Sequence, residues 1–163
     1  METKNKILKL AKGCHIASKV LYFGSMVACL TFTVLAIVLP CVNVIKDFSV
    51  AEVATLFGTL AFYSFMCIGL FWNVGGIFKS IINEQAPFSA RVSHYLKKTA
   101  IFIIVMALVP ALVGSTVVRL IDTDTTMNFP ISFGGVIAGV VLFVVGVFFK
   151  YGKELQTKED ETL

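Results

Sequence analysis

Histidine and cysteine are the side chains that would carry catalytic or metal chemistry in this sequence, and neither type forms a recognisable site. The chain has two histidines, His15 and His94, each flanked by basic residues. A hydrolase needs a nucleophile beside a base, or a metal held by a spacing such as His-Glu-x-x-His, and neither histidine has such neighbours. Glycine-rich phosphate loops, paired catalytic carboxylates and Cys-x-x-Cys motifs are also missing from the sequence. We therefore expect no enzymatic activity, no catalytic or metal-binding residue and no cofactor.

The four cysteines are better explained as packing residues than as ligands. Their positions do not show the paired spacing that zinc sites and disulfide frameworks use. A thiol without such a partner behaves as a small hydrophobic side chain. This interpretation applies to Cys14, Cys29, Cys41 and Cys67.

Apolar residues dominate the chain and fall into long runs that only a membrane explains. Of the 163 residues, 57% are hydrophobic and 15% charged, and the mean hydropathy is +0.87. A helix needs roughly 20 apolar residues to cross a hydrocarbon core about 30 Å thick, and the alternation typical of barrel strands is absent. The sequence predicts an all-α fold, an integral membrane four-helix bundle formed by residues 1–163 as a single transmembrane domain. Its spans are predicted at about 20–40, 56–78, 99–120 and 131–149.

The distribution of Lys and Arg predicts that both termini are cytoplasmic. Cations are concentrated in residues 1–19, in the loop 79–98 and in the tail 150–163, and cytoplasmic segments carry such an excess. The net charge of +4 does not predict direct binding of nucleic acid, because these cations adjoin span ends, where they anchor to anionic headgroups. For residues 1–19 two interpretations stay open: an amphipathic helix on the inner leaflet, or a frayed basic start.

Small residues at intervals of four predict where helices pack closely, within one molecule or between two copies. Pro110 is expected to distort the third span, and Ser89 to cap the helix that follows the Pro87 turn. Asn73 needs a partner in the membrane, which predicts a hydrogen bond to another helix. The candidate packing residues are Gly24, Ala28, Asn73, Ala107, Ala111, Gly135 and Gly139.

Three motifs give the chain a resemblance to a known family. They are the turn Ala86-Pro87-Phe88-Ser89 followed by Leu96, the spacing Phe149-x-x-Gly152-x-x-Leu155, and the ending Asp160-Glu161-Thr162-Leu163. In these the chain resembles a bacterial membrane family catalogued as domain of unknown function 2975. The resemblance implies four spans in the bacterial inner membrane and a gene beside that of a small helix-turn-helix regulator.

Two functions follow as hypotheses. The first is a membrane-embedded sensor or regulator that contacts a cytoplasmic partner, such as a small helix-turn-helix transcriptional regulator. The alternative is a small transporter or channel, which four spans would form only as a homo-oligomer, with Asn73, Ser64, Thr116 and Pro110 as its polar or irregular elements. For the first hypothesis the candidate partner contacts are Pro87, Phe88, Ser89, Arg91, Gly152 and Leu155.

Overall fold

The fold consists of four long helices. The computed structural model describes residues 2–42, 50–84, 89–114 and 131–161, and these ranges contain no strand. Each of the four helices is long and apolar enough to cross a bilayer. The predicted all-α class with four spanning helices is confirmed. The helices are α1 (Glu2–Val42), α2 (Val50–Glu84), α3 (Ala90–Val109) and α4 (Phe133–Glu161), and a π-helical turn (Pro110–Gly114) directly follows α3.

The helices extend beyond the apolar runs that predicted them. Because α2 continues to Glu84 and α3 begins at Ala90, most of the predicted loop 79–98 is helical. Residues 2–19 form the first turns of α1, so they are neither a separate surface helix nor a frayed start. No proline interrupts the chain before Pro40, so the helix can continue unbroken through this segment. The end of the predicted third span, residues 115–120, lies outside the described residues.

Neighbouring helices run antiparallel, and each helix packs only on its neighbours in the sequence. Helix α2 lies between α1 and α3, α3 lies between α2 and α4, and α1 contacts neither α3 nor α4 in the described ranges. On the α1–α2 face, His15 lies beside Gly75 and Phe32 beside Phe57, which fixes opposite directions for the two helices. The four helices therefore form an open row.

The face that α1 turns towards α2 repeats every seven residues. Its less exposed positions are spaced alternately by three and four, as in a left-handed coiled coil. Gly24 is not on this face: it is exposed, and a Cβ added there would meet no atom within 4 Å. The prediction that Gly24 packs against another helix is therefore wrong within the chain, whereas Ala28 is half-buried beside the seam. The seam consists of Leu8, Ala11, His15, Ser18, Tyr22, Ser25, Cys29, Phe32, Ala36 and Leu39.

Glycines on α4 pack closely against α3 of the same chain. A Cβ on Gly139 would lie 2.5 Å from Ile104 Cγ1 and 3.1 Å from the Ala100 carbonyl oxygen. A Cβ on Gly135 would lie 3.0 Å from the Cβ of Ala107, which is itself buried. The absence of side chains at these glycines lets the two backbones approach.

The distortion predicted at Pro110 takes the form of the π-helical turn. Proline has no N–H to donate to the carbonyl four residues earlier, and its ring crowds that carbonyl, so the regular α-helix ends there. Ala111 lies in this turn and is half-buried. Beside it, the Ser132 N–H donates to the carbonyl of Ala107 at 3.4 Å, and the Ser132 hydroxyl accepts from the Gly135 N–H at 3.3 Å. The start of α4 is thus attached to the irregular end of α3.

Most apolar side chains in the helices face outward. In the most apolar stretch of each helix, the buried share is 0% for α1 and rises only to 22% for α3. Large side chains such as Phe23, Leu30 and Phe133 are more than 60% exposed. A protein in water does not expose so much contiguous apolar surface, so the solvent for these faces is lipid.

Candidate functional site

Positive charge is concentrated at one end of the helix row. The antiparallel order brings the start of α1, the end of α2, the start of α3 and the end of α4 to this end, which we call the basic end. All Lys and Arg side chains that the structure describes lie towards it. At the opposite end the described residues include Glu52 and no cation. The basic end carries Lys6, Lys9, Lys12, Lys19, Lys79, Arg91, Lys97, Lys98, Lys150, Lys153 and Lys158.

The basic end is also where polar side chains are buried between helices. The hydroxyl of Ser93 on α3 donates to the carbonyl of Gly146 on α4 at 2.7 Å, inside the contact between the two helices. Val92, beside it, is only 1% exposed. Among the described residues every fully buried side-chain N or O atom has a hydrogen-bond partner. This end is therefore a fixed platform, since satisfied buried polar groups specify one packing arrangement.

The predicted partner contacts near the α2–α3 connection differ in how accessible they are. Ser89 is 2% exposed and caps α3, with its hydroxyl accepting from the Val92 N–H at 3.1 Å. The predicted cap is confirmed, and it leaves that hydroxyl inside the fold. The Arg91 side chain is 72% exposed, with its Nε 3.5 Å from an oxygen of Glu84. Pro87 and Phe88 lie outside the described residues.

The end of α4 projects beyond α3, the helix on which it packs, at the basic end. Because Ser93 lies opposite Gly146, α4 passes the first residue of α3 near Lys150 and continues to Glu161, a further 17 Å or so at about 1.5 Å per residue. We call residues 150–161 the α4 extension. Leu155 is 67% exposed and Gly152 is half-buried. Tyr151, one turn before Leu155, is 60% exposed, so the two form an uncovered apolar pair.

A cavity of about 380 Å³ opens between α1, α2 and α3 towards the basic end. Among the residues that the structure describes, no acidic side chain lines it. Its lining combines cationic, aromatic and apolar groups, including His15, Lys19, Tyr22, Trp72, Lys79 and Tyr95. Of these residues only His15 is singled out from the sequence alone. The seven-residue repeat of α1 could have grouped His15, Ser18 and Tyr22 on one face, but it does not indicate which residues of α2 and α3 lie opposite them.

Two adjacent glycines of α2 shape this cavity. At Gly75 the α1 helix comes close: His15 Nδ1 donates to the Gly75 carbonyl at 3.1 Å, and a Cβ on Gly75 would lie 3.6 Å from Ser18 Cβ. Because a carbonyl oxygen only accepts, Nδ1 carries the proton in this contact. At Gly76 a Cβ would lie 2.7 Å from the Tyr95 ring of α3. The glycine pair therefore allows both neighbouring helices to reach the cavity.

Polar side chains along the spans bond mainly within their own helices. The Asn73 amide donates to the Gly69 carbonyl of α2 at 2.7 Å, so the predicted bond to another helix is wrong, although Asn73 is buried as a packing residue. Ser64 likewise donates to Leu60, and Thr116 lies outside the described residues. The backbone carbonyl one turn earlier in the same helix is a nearby acceptor for such side chains. In the described ranges no three His, Cys, Asp or Glu side chains are grouped to hold a metal.

These features define the chain as a multi-pass helical membrane protein of four spans. Protein-family models, curated proteins and solved structures were compared with the chain, and none of them matches. The resemblance to domain of unknown function 2975 therefore rests on the sequence motifs.

Proposed function

We propose that this chain is a sensor or regulator in a bacterial cytoplasmic membrane, with its basic end in the cytoplasm. The concentration of cations at one end of the row supports this orientation, because cytoplasmic flanks carry the excess of Lys and Arg. In this orientation both termini and the connection between α2 and α3 are cytoplasmic. Every surface at the basic end is then available to soluble proteins.

The α4 extension is the proposed docking element, and its exposed apolar pair is the observation that carries the proposal. Tyr151 and Leu155 lie one turn apart and remain 60% and 67% exposed on a helix that projects past α3. An amphipathic helix that presents such anchors fits a groove in a partner. The ion pair between Lys150 and Glu154, 3.6 Å apart, keeps charged groups beside the apolar pair.

The proposed partner is a small helix-turn-helix transcriptional regulator, as the family resemblance implies. The chain holds this regulator at the membrane and does not itself bind nucleic acid. An oligomeric transporter or channel is the weaker hypothesis, because span residues such as Ser64 and Asn73 donate to their own helix and do not line a polar path.

Photo-crosslinking from the α4 extension tests the docking proposal. A photoreactive amino acid at position 155 of the full-length chain in intact cells should yield a covalent product with a small helix-turn-helix protein. The same amino acid at Ile137, which is 64% exposed on the lipid-facing part of α4, is the matched position and should yield none. Mass spectrometry of the purified product identifies the partner.

Substitution of the apolar pair provides the second arm of this test. Tyr151→Ser with Leu155→Ser should reduce recovery of the regulator at least about tenfold, since two exposed anchors are removed from one interface. Lys153→Ala with Lys158→Ala changes the charge of the same extension but leaves the pair intact, and should preserve recovery. Unchanged recovery with the serine variant, or a crosslinked partner without a DNA-binding domain, would contradict the proposal.

A further inference from the structure

The cavity between α1, α2 and α3 presents two lysines without a negative counterpart. Lys19 and Lys79 both line it, no Asp or Glu does, and neither lysine has an acidic partner within ion-pair distance among the residues described. An anion in the cavity would supply the negative charge that its lining lacks.

The two lysines lie at different levels along the helix row. Since His15 lies opposite Gly75, Lys19 is level with Phe71, eight residues from Lys79 along α2. At about 1.5 Å per residue Lys19 is about 12 Å farther from the basic end than Lys79. An anion held between these two levels can be approached by both side chains, since each lysine extends its ammonium group away from its own backbone.

The rest of the cavity changes from polar to apolar along the same direction. By the same register, His15 and Lys79 lie nearer the basic end, and Tyr22 and Phe23 lie farther from it. Trp72 lies between them, at about the level of Lys19. Trp72 is 66% exposed, and its ring centroid lies 5.6 Å from that of Tyr22. Amphipathic rings of this kind occur where headgroups meet acyl chains. The fitting ligand has an anionic group at one end and an apolar chain at the other.

We propose that this cavity binds an anionic phospholipid of the leaflet at the basic end, with the phosphate between Lys19 and Lys79. The acyl chains lie along Phe23 and Trp72, where the cavity opens to lipid. A volume of about 380 Å³ falls in the range of small-ligand pockets and accommodates the phosphate with its glycerol linkage. This site does not depend on the proposed cytoplasmic partner.

Trp72 provides a direct probe, because it is the only tryptophan in the chain and it lines the cavity. The purified full-length protein is reconstituted in phosphatidylcholine vesicles, and a small fraction of brominated phosphatidylglycerol or brominated phosphatidylcholine is added. Bromine quenches tryptophan fluorescence on contact. Brominated phosphatidylglycerol is expected to quench at about tenfold lower mole fraction than brominated phosphatidylcholine, as two lysine contacts would produce.

A charge-matched pair of variants separates the cavity from general attraction to the membrane surface. Lys19→Gln with Lys79→Gln should abolish the preference for the anionic lipid. Lys9→Gln with Lys12→Gln removes the same charge from the same end, outside the cavity, and should retain it. Circular dichroism checks that the variants keep their helicity. If the double variant does not fold, the single variant Lys79→Gln, at an exposed position, takes its place and should show an intermediate preference for the anionic lipid.

Three results would overturn the proposal. Equal quenching of the unaltered protein by the two brominated lipids would remove the basis for an anionic lipid site. A retained preference after substitution of Lys19 and Lys79 would place the attraction elsewhere. Displacement of brominated phosphatidylglycerol by excess inorganic phosphate would identify the ligand as a free phosphate and not a lipid. If the crosslinking experiment detected no regulator, the docking proposal would fail, but the results of these lipid-binding experiments would not change.

Discussion

Gly139→Leu is expected to separate α4 from α3 and to destabilise the fold by about 2 kcal/mol or more, which is the range for overpacking a close contact. A Cβ alone would lie 3.1 Å from the Ala100 carbonyl oxygen, and a backbone atom cannot move aside as the end of a side chain can. The gain in helix propensity on replacing glycine, up to about 1 kcal/mol, does not offset this clash. Loss of helicity during a titration with sodium dodecyl sulfate measures the change.

Gly24→Leu is the matched control for that substitution. Gly24 lies within a spanning helix, but a Cβ there meets no atom within 4 Å, and its surface is exposed to lipid. We expect this variant to be as stable as the unaltered protein or more stable by up to about 1 kcal/mol, because the gain in helix propensity is not opposed by a clash. If the Gly24 variant unfolded as readily as the Gly139 variant, the assignment of packed and lipid-facing sides would be wrong.

Val92→Asp should have the second large effect, a loss of about 3 kcal/mol or more, because it places a carboxylate where the native side chain is 1% exposed. The position lies in the first turn of α3, beside the buried Ser93 that bonds to α4. Burial without a cationic partner removes the water that stabilises the charge. Thermal unfolding in detergent, followed by circular dichroism, is the appropriate measurement.

Ala90→Asp isolates the contribution of burial in that experiment. It introduces the same carboxylate in the same first turn, so both variants receive the same favourable interaction with the helix dipole, but Ala90 is exposed. The Ala90 variant should be as stable as the original chain. Equal losses at the two positions would show that the basic end is not the packed platform described above.

Helix number and class were predictable because the solvent dictates them. Four long apolar runs must satisfy their backbone groups internally in lipid, and the structure has four helices in those places. The cap at Ser89 was also predictable, since a serine after the proline turn supplies an acceptor for a free N–H of the next helix. The extension of the helices past the apolar runs was not predictable. The length of an apolar run indicates how much of a helix lies in lipid, but it does not indicate where the helix itself begins and ends.

Packing faces were only partly predictable from small residues. Gly135 and Gly139 do face α3, whereas Gly24 faces lipid although it lies in a similar small-residue pair. The spacing of small residues permits close approach but does not specify the neighbour. On α1 the seven-residue seam carries this information, since it places Ser25 and Cys29 inward and leaves Gly24 outside.

The cavity could not be predicted, because it depends on the register of three helices. His15 is near the start of the chain and Gly75 is 60 residues away, yet their hydrogen bond sets the alignment of α1 with α2. Tyr95 reaches the same space from α3 because Gly76 has no side chain. The sequence does not indicate which of these groups lie close together. The hydrogen bond expected between Asn73 and another helix was wrong for the same reason.

Cysteine accessibility in intact cells tests the central claim, that four helices cross the membrane with the basic end inside. In a variant whose native cysteines are replaced by alanine, Asn5→Cys and Thr157→Cys should react with an impermeant maleimide only after the membrane is opened. Asn43→Cys and Thr126→Cys, in the connections that join α1 to α2 and α3 to α4, should react before it is opened. Labelling that places positions 5 and 157 on opposite sides, or that finds all four positions equally accessible in intact cells, would contradict the account.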